Sequence, residues 1–295
     1  MFVTTLLCQP GQAAITPTLA QSLCNAWGGR DLTWLAPREA VEFECLQSPD
    51  TLWQVWQELQ AQQIDLVVQP SAGRRKKMLL ADMDSTMITV ECIDELADFA
   101  GIKPQIAAIT ERAMAGELDF AEALKARVAL LAGLDENMIA QCLRERVRPM
   151  PGAEILVRTM TGWGAHAVLV SGGFTSFTGP VAELLGFTEV HANVLEIKDG
   201  CLTGGLKGNI VDAAVKKAVL HSAAVSQGIP LEASIAVGDG ANDLPMIAAA
   251  VAGDGLGIGY HPRPQLAKAA NFSVRHNDLT ALLFAQGVAP NEWLR

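Results

Sequence analysis

Two aspartates one residue apart, Asp82 and Asp84 in Asp82-Met83-Asp84-Ser85-Thr86, follow the apolar run Met78-Leu79-Leu80-Ala81. A buried strand that ends this way projects two carboxylates from its tip. Like charges this close repel and raise each other's pKa, so the pair persists only where a cation neutralises one carboxylate or where the two divide acid and base roles. An Asp-rich strand-to-helix turn capped by Ser85 or Thr86 has the same local pattern without any chemistry. Chemistry is favoured because similar strand ends recur downstream.

The first of these is Ala167-Val168-Leu169-Val170, which leads into Ser171-Gly172-Gly173-Phe174: a hydroxyl, two residues without side chains, then a helical stretch. Exposed backbone N–H groups and a helix N-terminus favour an anion there, and glycine lets a phosphate approach, although Ser-Gly-Gly by itself is also an ordinary turn. The second, Ser234-Ile235-Ala236-Val237, runs into Gly238-Asp239-Gly240-Ala241-Asn242-Asp243, which sets two more carboxylates and an amide on a glycine-loosened turn. Oxygen ligands with no His or Cys cluster nearby suit Mg²⁺, a hard cation that bridges carboxylate and phosphate. Lys216 lies on a predicted helix over 211–227, where its ammonium can meet a phosphoryl group as a mobile point charge. Lys217 is the other candidate, one of the two being the solvated neighbour.

In this combination the chain resembles the haloacid dehalogenase superfamily and, within it, the phosphoserine phosphatase family. The resemblance covers roughly residues 76–291 and contains all four superfamily motifs in order: Asp-x-Asp-x-Thr at 82–86, Ser171, Lys216, and Gly-Asp-Gly-x-Asn-Asp at 238–243. It implies that Asp82 is the nucleophile and Asp84 the general acid/base, with Ser171, Gly172, Gly173 and Lys216 around the phosphoryl group. Mg²⁺ would be held by Asp82, Asp239 and the main-chain carbonyl of Asp84, while Asn242 and Asp243 orient the metal shell and the lysine, Asn242 also meeting substrate. The segment Val-Asp-Ala-x-x-Lys is similar to the family's pattern and places the motif lysine at 216.

The implied activity is Mg²⁺-dependent hydrolysis of L-phosphoserine through an aspartyl-phosphate, the last step of serine biosynthesis. Charge supports the same mechanism. A phosphomonoester dianion repels an anionic nucleophile until the site neutralises it, and a serine alkoxide leaves poorly unless protonated. An acid that donates that proton becomes the base for the attacking water. The same site could pass the phosphoryl group to another small alcohol such as homoserine, which product analysis separates from hydrolysis. A dehalogenase is disfavoured by Asp84, and a non-enzymatic amino-acid sensor by the intact motifs.

The 295 residues are half apolar, contain no tract long enough to span a bilayer, and leave room for two domains. A net charge of −10 argues against nucleic acid as a partner and gives no general attraction for an anionic substrate, so phosphate recognition has to be local. Cys8, Cys24, Cys45, Cys92, Cys142 and Cys201 form no Cys-x-x-Cys pair and read as reduced, mostly buried thiols of a cytoplasmic protein. The start, Met1 to Cys8, lacks a basic flank and a long apolar run, so it reads as a first strand rather than a signal.

The elements that must position these residues are legible from 153 onward, where apolar strands alternate with helical stretches: helix 154–161, strand 167–170, helix 177–185, helix 213–226, strand 235–237, helix 244–250, strand 256–260. Such alternation predicts an α/β fold, a doubly wound parallel sheet whose ligands bind beyond the carboxyl ends of the strands. Residues 91–148 read as helices only, broken near Gly101, Gly116 and Gly133. In the family such an insertion is a helical cap, here about 90–148, which excludes water and selects substrate. On the cap helix over 120–131 the apolar face is Phe120, Leu124, Val128 and Leu131, and Arg127 falls on it. Arg127 there either snorkels to water or meets an anion. Glu91 begins a helix, where a carboxylate suits the dipole. The resemblance implies that Glu91 meets the substrate ammonium, that Arg127 meets its carboxylate, and that Met114 and Phe120 line the pocket; core packing accounts for the last two equally well.

Residues 1–70 read as strand-helix-strand-strand-helix-strand, with strands at 3–8, 33–35, 41–45 and 64–68 and helices at 19–27 and 52–59. That order predicts a small ferredoxin-like α+β domain. Its position resembles the ACT-type domain of longer relatives, which implies an amino-acid ligand there and a homodimer, although Gly11 is the sole hint of a binding loop. Residues 71–77 read as a linker with a solvated basic run, Arg74 to Lys77, before the phosphatase-like part at 78–295. Trp27, Trp34, Trp53 and Trp56 offer large apolar surfaces for docking the two parts together.

Overall fold

The computed structural model describes residues 1–114 and 117–294, with Met114 described in its backbone alone. The chain opens with β1 (Phe2–Cys8), α1 (Pro17–Ala26), β2 (Arg30–Ala36), β3 (Ala40–Cys45), α2 (Leu52–Gln60) and β4 (Ile64–Pro70). The strands pair antiparallel in the order β2-β3-β1-β4, which is the ferredoxin-like arrangement predicted from element order. Strict alternation sorts the two faces of this sheet. Leu6, Val41, Phe43 and Leu66 pack under α1 and α2 with Trp27, Trp34 and Trp56, whereas Leu7, Ala40 and Val67 turn the other way and join the core of the rest of the chain. Three of the four tryptophans are thus partly buried against the first unit's own core, Trp56 also lies under Arg275 of the second unit, and Trp53 is exposed.

The second unit comprises β5 (Met78–Ala81), α3 (Cys92–Phe99), α4 (Lys103–Met114), α5 (Phe120–Ala129), α6 (Asn137–Arg146), α7 (Ala153–Gly162), β6 (His166–Phe174) and α8 (Thr175–Leu185). It continues through β7 (Glu189–Lys198), β8 (Cys201–Lys207), α9 (Ala213–Gln227), β9 (Ser234–Gly238), α10 (Leu244–Ala252), β10 (Leu256–Tyr260), α11 (Pro264–Ala269), β11 (Phe272–Val274) and α12 (Ala281–Ala285). Its sheet has the order β11-β10-β9-β5-β6-β7-β8. Every residue of β5 is fully buried, as a central strand covered on both faces requires. Leu79 and Ala81 face α7, α8 and α12, and Met78 and Leu80 face α9, α10 and α11.

The wholly parallel sheet expected from sequence needs one correction. β5, β6, β7, β9, β10 and β11 run parallel, but β7 and β8 form an antiparallel hairpin at the edge. Its turn is Asp199-Gly200, both with positive φ (52° and 80°), the two-residue turn that matches strand twist. The Asp-Gly signal was present in the sequence, but the exposed Val190 and Val194 gave its first strand the wrong apolar face.

The basic run is only in part the solvated junction expected of it. Lys76 is 6% exposed and its ammonium donates to the carbonyl of Glu232, while Arg74 pairs with Glu42 and donates to the carbonyl of Ala285. Arg75 and Lys77 reach solvent, Arg75 paired with Glu292 and lying over the Trp163 ring. The chain must pass between two packed units to enter the central strand, so its charges find partners there. Buried Asp65 accepts the N–H groups of Arg275 and His276 at 3.0 Å each, a further tie across the junction.

Among the described residues four helices, α3 to α6, make the insertion, broken at Gly101 and Gly133 as predicted, whereas Gly116 lies outside the described residues. Two crossing segments join it to the sheet, paired through Thr89 N–H to Arg148 C=O at 3.0 Å and Met150 N–H to Met87 C=O at 2.9 Å. A capping box of Asp119 and Glu122 sets the start of α5 and so the height of Phe120 and Arg127 over the sheet.

Candidate active site

The chain leaves β5 for β6 on one side and later returns to β9 on the other, so the carboxyl ends of β5 and β9 flank a topological switch point. The turns after β5 and β9 and the bulged carboxyl end of β6 carry the three strand-end motifs. Around them lies a cleft of about 380 Å³, lined from below by Asp82, Asp84, Gly172, Gly173, Asp239 and Asn242 and from the cap by Glu91, Asp94, Phe120 and Arg127.

Asp82 is 3% exposed, and its Oδ1 lies 2.6 Å from the Lys216 ammonium, whose other partner is Asp243 Oδ1 at 2.8 Å. Lys216 is itself 1% exposed, and Lys217 points to solvent, which decides between the two lysines. Burial works against the Lys216 charge, but the carboxylates of Asp82 and Asp243 outweigh it and hold the ammonium above its ordinary pKa. Asn242 Nδ2 donates to Asp82 Oδ2 at 3.2 Å. Between the lysine, this amide and its own Met83 N–H at 2.7 Å, the Asp82 carboxylate is held in one orientation.

Asp84 differs from Asp82 in making no ion pair among the described residues. Burial, and then the negative charges of Glu91 and Asp82, push its carboxyl up to about 8, opposed by the backbone and side chain of Cys92, whose N–H donates to it at 3.0 Å. The protonated form of this carboxyl is accordingly favoured. Two carboxyl groups two residues apart are thus pushed into different environments, which is how acid and nucleophile roles separate. Ser85, between Asp84 and Thr86, has φ +57° and donates to Glu91 Oε1 at 2.7 Å, tying the first motif to the start of the cap.

Ser171 is fully buried, and its Oγ accepts the Gly173 N–H at 2.8 Å, closing the loop beneath the cleft. A side chain on Gly172 would meet the Phe120 ring at 3.1 Å, and one on Gly173 would meet Asp84 at 3.0 Å. At both positions a side chain would crowd these neighbours. At Gly238 an added Cβ would overlap the Asp243 carboxylate, whose Oδ2 accepts the N–H groups of Asp239 and Gly240 at 3.1 Å.

Carboxylate oxygens of Asp82, Asp239 and Asp243 lie within 4.8 Å of one another. Asp243 is already committed to Lys216 and two amides, so it stands behind the other two. Asp239 is pushed up to about 6, first by burial and then by the negative charges of Asp82 and Glu91, against Arg263 and Lys216. An oxygen-only set of this charge fits a hard divalent ion.

The cap residues named from sequence meet at the same cleft, apart from Met114, whose side chain lies outside the described residues. Phe120 is 38% exposed at the rim and leans on Gly172. Arg127 is half-buried, donates from Nε to the Ala123 carbonyl at 3.3 Å, and makes no ion pair among the described residues; burial lowers its pKa, opposed by Asp94 and Glu91. Sequence reasoning missed Arg263, which lines the cleft and whose N–H donates to the Asp239 carbonyl at 3.0 Å. It arrives on the loop after β10, where no local pattern marks it. Asn193, buried beneath the Ser171 loop, was missed together with its strand.

Residues 79–248 match the family of haloacid dehalogenase-like hydrolases. The chain is 45% identical over 221 residues, 75% of its length, to phosphoserine phosphatase SerB2 of Mycobacterium tuberculosis, but spans only 53% of that relative, about half its length. With a phosphoserine phosphatase of Albidiferax ferrireducens it shares 44% identity over 212 residues, covering 70% of this chain and 88% of the relative. Among solved structures, an unliganded probable phosphoserine phosphatase of Vibrio cholerae superposes with a TM-score of 0.80 at 30% identity, over 99% of this chain and 87% of that one. The convergence of four motifs on one switch-point cleft and these likenesses agree: the chain belongs to the haloacid dehalogenase-like hydrolases, on the branch that holds the phosphoserine phosphatases.

Proposed function

We propose that the protein hydrolyses L-phosphoserine to serine and inorganic phosphate through an aspartyl-phosphate on Asp82. The observation that carries this reading is the contrast between Asp82, held by Lys216 at 2.6 Å, and Asp84, whose carboxyl is pushed up to about 8. One is a fixed, partnered nucleophile and the other a proton donor, two residues apart on one turn.

Asp82 attacks phosphorus in line with the serine oxygen, and Asp84 gives that oxygen its proton as the bond breaks. Water then attacks the acyl phosphate, Asp84 takes a proton from it, and Asp82 is restored. Ser171, the glycine N–H groups and Lys216 hold the phosphoryl oxygens throughout. Asp82, Asp239 and the Asp84 carbonyl would hold Mg²⁺, with Asp243 and Asn242 behind them; when bound, the ion neutralises phosphoryl charge. Glu91 and Arg127 face the cleft from the cap and would read the substrate ammonium and carboxylate, with Phe120 and Met114 beside them. Water, not an alcohol such as homoserine, is the acceptor in this reading.

The same reading assigns residues 78–295 to catalysis with a cap at about 90–148, residues 1–70 to an ACT-type regulatory unit, and 71–77 to the junction. The placement of the chain in the cytoplasm, as a homodimer with an amino-acid ligand on the first unit, belongs to it as well. The direct test is phosphate release from a panel of phosphomonoesters with and without Mg²⁺. L-phosphoserine should be turned over fastest and only with the metal, and full activity in excess chelator would refute the metal assignment.

A separate prediction concerns selectivity. Arg127→Ala should cost turnover of phosphoserine about 2 to 5 kcal/mol, the range for truncating one side of a desolvated charge pair. A small phosphomonoester without a carboxylate has no such pair to lose and should be affected little. Equal losses in kcat/KM for both substrates would show that Arg127 only supports α5.

A further inference from the structure

The β6–β7 ladder breaks at the Ser171 loop. Val170 faces His191, and the next pair is Phe174 with Asn193, so β6 advances four residues while β7 advances two. Such a bulge takes backbone groups out of the ladder, and buried ones need other partners. A side chain supplies one: Asn193 Nδ2 donates to the Gly172 carbonyl at 2.8 Å. Its Oδ1 meanwhile accepts the Val211 N–H at 2.8 Å, and the residue is 1% exposed.

Val211 immediately precedes Asp212, which caps α9 by accepting the Val215 N–H at 2.9 Å. The next residue along is Lys216. One buried amide therefore ties the loop of Ser171 and Gly172 to the start of the helix that delivers the ammonium. It also sits at the base of the β7–β8 hairpin, between its incoming strand and the chain that leaves it. The far end of that hairpin is bonded to the cap, through Gly133 N–H to Leu202 C=O at 2.8 Å and Leu202 N–H to Leu134 C=O at 2.9 Å.

We propose that Asn193 is a positioning residue for phosphoryl recognition, setting the distance between the Ser171-Gly172 loop and Lys216. This rests on the reading that those groups hold the phosphoryl oxygens. An amide is required because the two bonds need one donor and one acceptor at equal reach. An aspartate would still accept from Val211 but would set an oxygen against the Gly172 carbonyl and push the loop away.

The test measures binding of inorganic phosphate, and separately of L-serine, by calorimetry in Mg²⁺-containing buffer on the full-length chain. Asn193→Asp is compared with Asn277→Asp. Asn277 is a matched control: it is 3% exposed, donates to the Cys8 carbonyl at 2.7 Å, accepts the Asp278 N–H at 2.8 Å, and lies at the junction of the two units. Phosphate affinity should fall at least about tenfold in Asn193→Asp, the scale of one misplaced buried polar contact, and stay within about twofold of wild type in Asn277→Asp. L-serine, held by the cap, should bind both variants like wild type.

Wild-type phosphate affinity in a folded Asn193→Asp would overturn the proposal, as would equal losses for phosphate and serine. If Asn193→Asp fails to fold by circular dichroism, Asn193→Ser is measured in its place, and failure of both shows a purely structural residue. The expected pattern in a protein that releases no phosphate from L-phosphoserine would instead overturn the substrate assignment and leave the role of Asn193 standing.

Discussion

Replacing Asp82 by asparagine is expected to cut phosphate release from L-phosphoserine by about 10⁴- to 10⁶-fold, the scale seen when a covalent enzyme loses its nucleophile. The amide matches the carboxylate in shape but cannot attack phosphorus. The fold should survive, because Lys216 keeps Asp243 at 2.8 Å as its counter-charge. The variant should therefore bind substrate and stall before the first bond breaks. Acid quenching with labelled phosphoserine checks this: label should appear on Asp82 in the wild type and on no residue of the variant. Label trapped on another side chain would mean that a different nucleophile carries the reaction.

Asp84→Asn is expected to lower kcat by about 10²- to 10⁴-fold, the usual contribution of a positioned proton donor, with little change in substrate binding. Asparagine can still accept the Cys92 N–H that Asp84 accepts at 3.0 Å, so the turn should hold its shape. The pH profile gives an independent check. A donor whose pKa is raised to about 8 by burial and by Glu91 and Asp82 is charged with its proton below that pH and loses it above. The rate of phosphoenzyme formation in the wild type should accordingly fall as pH rises past about 8, and the variant should show no such limb. A substrate whose leaving group needs no proton, such as an aryl phosphate, should be far less sensitive to the substitution. Comparable losses on both substrates would remove Asp84 from the acid role.

Much of this site could be read before any coordinates. Asp82, Asp84, Ser171, Asp239, Asn242 and Asp243 each lie within a few residues of an apolar strand end, so the local pattern that makes the strand also announces the turn where the side chain emerges. The same holds for the order of the first six elements, among which β3 was marked by strict alternation. Lys216 was legible as one of two lysines, and only its burial against Asp82 and Asp243 separated it from Lys217. The Asp199-Gly200 turn was legible too, but was obscured by Val190 and Val194, apolar residues that face outward on an edge hairpin.

Other features depended on partners far away in the chain. Nothing local to Arg263 shows that the loop after β10 returns to Asp239, and nothing local to Asn193 shows that a bulge in β6 leaves the Gly172 carbonyl for it to bind. The basic run at Arg74 to Lys77 looks solvated in one dimension, yet Lys76 is buried because Glu232 and Gln286 close over it from more than 150 residues away. The division between Asp82 and Asp84 has the same origin. Spacing alone said that the two carboxyl groups need a cation or divided roles, and the fold decided which one received Lys216 and which was left buried with no ion pair among the described residues. Local sequence determines where side chains emerge, since backbone periodicity is a short-range property; what charge they carry once there depends on which distant groups the packed chain brings alongside and from which groups it excludes water.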